Sequence, residues 1–116
     1  MPSEDKPRLQ LLQGTLDLIV LRTLAAMGPQ HAYAIATRVQ QVSEDLLSLN
    51  QGTLYPALLR MLKAGWVSSE WGLSARNRRV RIYRISAAGR KQLAREVSAF
   101  ERMLEGFRRV MGTAQS

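Results

Sequence analysis

Five arginines, Arg76, Arg78, Arg79, Arg81 and Arg84, fall within nine residues with no acidic side chain among them. A guanidinium stays protonated at physiological pH and presents a planar fork of donors, so this run neither abstracts protons nor ligates a metal; it suits an extended polyanion. A second polar set precedes it: Gln51, Thr53, Tyr55, Arg60 and Lys63, in the stretch Asn50 to Val67. There Leu54, Leu58, Met61 and Leu62 make one apolar stripe at helical spacing, and the polar residues lie largely off it. An apolar back with amides, hydroxyls and cations in front has the shape and chemistry for the major groove of double-stranded DNA. In that groove Gln can pair with adenine and the Thr methyl can meet a thymine methyl.

Other chemistries fail for want of parts. There is no cysteine, hence no disulfide framework, thiolate zinc site or cysteine nucleophile. His31 is the only histidine and has no second ligand group at metal spacing. Asp17 and Asp45 have no partner at a catalytic spacing, and neither Gly-x-Gly-x-x-Gly nor a P-loop occurs. The expectation is no enzyme, no metal and no cofactor. The polar opening Met-Pro-Ser-Glu-Asp-Lys-Pro-Arg lacks a signal-peptide core, and no apolar run approaches the ~18 residues of a membrane span. A soluble cytoplasmic protein without a membrane partner is expected. Charge placement is more informative than its sum. Residues 1–73 balance six basic against six acidic side chains, while 74–116 carry eleven basic against three, the whole +8 excess.

These residues need elements to position them. Residues 1–8 read as a tail. The spacing predicts a helix from about Gly14, with a wide apolar face, stopped by Gly28-Pro29, and a second over His31–Val42. Leu47-Ser48-Leu49 has room for a very short strand. Asn50 or Ser48 can cap the central helix, Gly65 ends it, and Pro56 fits only near a first turn, so the helix begins close to Gly52 or kinks. The period then changes to two, giving strands over Trp66–Trp71 and Val80–Ile85 around a polar loop, with Trp66 and Trp71 read as packing residues. Ser86 can cap a last helix from Ala87 to about Met111. Its Leu93, Val97, Phe100, Leu104, Phe107 and Met111 are spaced 4, 3, 4, 3, 4, a heptad seam that fits a dimer interface. The fold class is mainly α with a small β-hairpin: a winged helix-turn-helix over residues 9–86, a C-terminal dimerisation helix over 87–112 and a tail over 113–116.

In that order of elements the chain resembles the PadR family of transcriptional regulators. The resemblance is carried by Gln13-Gly14-Thr15-Leu16-Asp17-Leu18, His31-Ala32-Tyr33-Ala34-Ile35, Gly52-Thr53-Leu54-Tyr55-Pro56-Ala57-Leu58, Gly65-Trp66-Val67 and Tyr83-Arg84-Ile85-Ser86-Ala87-Ala88-Gly89. It implies a homodimeric, repressor-type regulator with the central helix in the major groove and the last helix making the dimer. Thr53, Tyr55 and their neighbours would face DNA, and Tyr33 would lie where the second helix meets the DNA backbone or the core. Ala32 stands where the family has glycine, and the single C-terminal helix matches its shorter branch. Family members that take aromatic or drug-like molecules do so around the dimer interface. Phe100, Met103, Phe107 and Met111 are what this chain offers there, and a small-molecule effector is left open. The competing functional readings are a winged-helix protein-interaction module and a non-specific architectural DNA-binding protein.

Overall fold

The computed structural model describes residues 13–113. The elements run α1 (Gln13–Met27), α2 (Ala32–Val42), α3 (Gln51–Ala64), β1 (Val67–Leu73), β2 (Arg79–Ile85) and α4 (Ala87–Thr113). The predicted tail over 1–8 lies outside the described residues, as do residues 114–116. Helix α1 is the central post: Leu16, Leu18, Val20, Leu21 and Leu24 are buried, and α2, α3, α4 and β2 all pack against it. That is why its apolar face is too wide for a one-sided surface helix. Ala32 and Ile35 of α2, Leu54, Ala57, Leu58 and Met61 of α3, and Val67, Tyr83 and Ile85 of the hairpin complete the core.

Asn50 caps α3, its side chain accepting from the Thr53 amide at 2.9 Å, which satisfies one of the free N–H groups of a helix start. The helix begins at Gln51, one residue before the expected Gly52, which makes Pro56 its sixth residue. The proline withholds the donor that the exposed Gly52 carbonyl would otherwise receive. At the far end Gly65 takes the left-handed conformation with φ 81°, and the chain turns directly into β1. The short strand expected at Leu47-Ser48-Leu49 does not form. That segment follows a tight turn in which Glu44 and Asp45 both have positive φ, and the Ser43 hydroxyl accepts from the Leu47 amide at 3.0 Å. Local side-chain bonding holds it in place of a sheet ladder.

Strands β1 and β2 pair antiparallel from Val67↔Ile85 to Leu73↔Arg79, each one or two residues longer toward the tip than the alternation predicts. A further rung, Gln30 with Tyr83, ties the α1–α2 connection to the edge of β2. At the base of the hairpin the Ser86 hydroxyl donates to the Gly65 carbonyl at 2.6 Å and accepts from the Gly89 amide at 3.0 Å. A Cβ at Gly89 would lie 2.1 Å from the Trp66 carbonyl oxygen, so only glycine lets α4 start this close to β1. The end of α3, the root of the wing and the start of α4 are one packed junction. From it α4 runs 27 residues, about 40 Å.

Candidate nucleic-acid interface

Burial divides α3 cleanly. Leu54, Ala57, Leu58 and Met61 face the core, while Gln51, Gly52, Thr53, Tyr55, Pro56, Leu59 and Lys63 are exposed. The Thr53 hydroxyl donates to the Asn50 side chain at 3.0 Å, which holds its rotamer and leaves its methyl and lone pairs outward. No residue of α3 is acidic. Gln51, Thr53 and Tyr55 therefore share the exposed N-terminal end as a neutral hydrogen-bonding surface.

Arg60 is the exception. The polar pattern of α3 places it on the outer face, but its guanidinium is bonded to Asp17 of α1. Asp17 is 5% exposed, the one buried charged side chain among the described residues. Burial pushes its carboxyl above the usual range, the Arg60 cation pulls it back down, and Glu96 of α4 adds a smaller upward push. A carboxylate in that position needs a cation, and Arg60 supplies it. To the expected place of Arg60 on the DNA-facing side the structure adds a partner within the fold, with the Arg60 side chain still 38% exposed.

The wing carries its cations on different sides. Arg76 and Arg78, at the tip, line an open cleft of about 570 Å³ whose opposite wall is α2, with His31, Tyr33, Thr37, Arg38 and Gln41. The tip itself is tightly tied, with Ser74 and Arg78 bonded across it at 2.8 Å and Asn77 at φ 64°. Tyr33 is 67% exposed, which places it on the surface and not in the core; its ring stacks with that of His31 at 6.5 Å. Arg79 and Arg81 lie over the exposed ring of Trp71, 4.3 and 4.9 Å from its centre. Arg84 instead reaches Glu70 on the opposite face of the hairpin at 3.4 Å. Tyr83, buried between wing and core, has its hydroxyl pKa raised by burial and by Tyr55, against a lowering by Arg81.

The heptad seam of α4 divides in two. Leu93 is a core residue of its own chain, with Val97 and Phe100 packed against the core beside it. Leu104 is half-buried, and Phe107 and Met111 are exposed. Met103 and Val110, outside the strict seam, are exposed there too. The upper seam closes the domain, and the lower seam shows apolar surface to solvent.

Sequence reasoning missed the Asp17–Arg60 pair, the Arg38 wall of the cleft and the exposure of Trp71. The last was within reach: once the loop is placed at residues 74–78, counting back along the hairpin sets Trp71 opposite Arg81.

A helix-turn-helix whose second helix presents a neutral polar end, flanked by an arginine-bearing two-stranded wing, defines the winged helix-turn-helix class of DNA-binding regulators. Residues 20–95 match the model of the transcriptional regulator PadR-like family, and the chain belongs to that family. Among solved structures, a transcriptional regulator from Clostridium thermocellum is 26% identical at TM-score 0.73, covering 87% of this chain and 93% of that one. A PadR-like transcriptional regulator from Bacillus cereus shares the fold at 20% identity and TM-score 0.73, covering 89% and 97%. One of the PadR family from Eggerthella lenta does so at 23% and TM-score 0.72, covering 85% and 83%. No curated protein matches the chain. Among the described residues no helix is long and apolar enough to cross a membrane.

Proposed function

We propose that this regulator is a homodimeric, sequence-specific repressor that reads a palindromic operator with the exposed end of α3. The observation that carries the reading is the acid-free surface of Gln51, Thr53 and Tyr55 on a helix anchored from behind by four buried side chains. The N-terminal part of a recognition helix enters the groove deepest, and Gln and Thr have defined partners there. Lys63, near the other end of α3, takes a phosphate, as do Arg76, Arg78, Arg79 and Arg81 of the wing. Tyr33 lies beside the backbone at the α2 cleft. The exposed lower seam of α4, with Leu104, Phe107 and Met111, pairs with a second copy. That pairing sets two α3 helices about one DNA turn (~34–36 Å) apart, and the bound dimer blocks the operator.

The test is selection of bound fragments from random duplexes, followed by competition of the selected site against a scrambled duplex at fixed salt. Gln51→Ala and Thr53→Ala are expected to fold normally and lose about 1–3 kcal/mol of discrimination at particular base pairs. Variants that keep the wild-type preference would remove α3 as the reader.

A further inference from the structure

We propose that Trp71 is a positioning residue for DNA binding: its indole holds Arg79 and Arg81 as a preformed pair of cations that grips the phosphodiester backbone beside α3. The inference rests on the DNA-binding reading above and adds a residue to it.

The hairpin register sets Val67, Ser69, Trp71 and Leu73 on one face of β1, opposite Ile85, Tyr83, Arg81 and Arg79 of β2. At the root of the wing this face is core, with Val67, Tyr83 and Ile85 buried. Toward the tip the same face leaves the core, and Trp71 is 55% exposed. Among the described residues the two guanidiniums are the cations that lie over the ring. A large apolar side chain on a solvent-facing strand position, topped by cations, is an arrangement made for the cations.

The arrangement also sets a condition on its partner. Two positive groups held close to one ring repel each other, and among the described residues no carboxylate pairs with either; Glu70, the one acid of the hairpin, faces the other way and takes Arg84. An anion placed between them relieves the repulsion. The cluster stands on the hairpin whose first strand follows directly from α3 through Gly65 and packs against that helix. The anion that α3 brings alongside when it enters a major groove is the flanking backbone phosphate. A free arginine loses rotamer freedom on gripping a phosphate, whereas a stacked one has already lost much of it, so the ring lowers the entropic cost of contact.

The experiment is a double-mutant cycle on the full chain, read by fluorescence anisotropy with a labelled mixed-sequence DNA duplex long enough for both half-sites. Trp71→Leu is expected to bind about fivefold more weakly, as befits loss of two exposed cation–π contacts. Trp71→Phe, which keeps a ring face, is expected to recover most of that loss. In an Arg79→Ala, Arg81→Ala background Trp71→Leu is expected to change nothing further, which a merely structural tryptophan would not show. In Trp66→Phe protein, where Trp71 is the sole indole, its emission is expected to shift on adding duplex and to stay still once both arginines are alanine. A Trp71→Leu protein that binds like wild type, an equal loss in the arginine-free background, or an unmoved emission would each overturn the inference while leaving DNA binding intact. A wild-type chain that binds no duplex would overturn the DNA-binding reading itself, and this inference with it.

Discussion

Arg60 and Lys63 are three residues apart on α3, and composition alone gives them the same role. Their surroundings separate them. Arg60 neutralises a buried carboxylate on α1, and Lys63 has no such commitment and stands exposed in the last turn. Arg60→Ala is expected to cost about 1–3 kcal/mol of stability by leaving Asp17 without its cation, at the lower end because Arg60 is itself partly solvated. The sign of its pH dependence follows from Asp17. Without Arg60 the folded-state pKa of that carboxyl rises further above its unfolded value, so the folded protein holds the proton to higher pH. The added destabilisation is then small in acid and grows as pH rises through that window. Lys63→Ala should melt as wild type at every pH and bind DNA more weakly. Thermal melts across the carboxylate range, paired with a binding titration, check both. Equal melting of the two variants would mean that the pair with Asp17 contributes nothing. Periodicity placed both cations on the polar side of α3, but it carried no information about a partner 43 residues away in sequence, and that contact sets Arg60 apart from Lys63.

At the level of elements, α4 shows what a heptad pattern can and cannot say. The seam was legible in the sequence as an unbroken 4-3 spacing from Leu93 to Met111. Where the helix leaves its own domain was not, because leucine and phenylalanine serve an intrachain core and an interchain seam equally well. The structure puts the boundary after Phe100, and the expected outcomes divide there. Leu93→Ala is expected to lower stability by about 2–4 kcal/mol without altering the dimer that remains folded. Leu104→Glu and Phe107→Glu are expected to leave the folded domain intact and shift it to monomer. Sedimentation at micromolar concentration checks this, and dimeric Leu104→Glu and Phe107→Glu proteins would put the interface elsewhere. The same limit applied to the wing. Alternation gave both strands, and it fell short at the tip, where exposed Trp71 and Leu73 no longer follow a buried-exposed alternation. The turn before α3 went the other way: Leu-Ser-Leu has strand-like alternation, and side-chain bonds from Ser43 overrode it.

Across the whole molecule, the excess charge is confined to residues 74–116, the hairpin tip, β2 and the helix beyond it, so its basic character is carried by those elements. Counterion release turns that asymmetry into a measurable slope, about −0.9 in log K against log salt for each phosphate neutralised. Replacing Arg76 and Arg78 with alanine removes the two tip cations facing the α2 cleft. In a dimer it should flatten the slope by as much as about four such contacts, weakening specific and scrambled duplexes alike. An unchanged slope would mark the tip as solvated and away from DNA.

The junction of Gly65, Trp66, Ser86 and Gly89 leaves no slack between α3 and α4. An angular error there is magnified along the helix. A tilt of about 5° carried over the ~40 Å of α4 displaces its far end by roughly 3.5 Å, close to the rise of one base pair. On the dimeric reading proposed above, operator spacing is thus the angle of a four-residue joint, counted in whole base pairs.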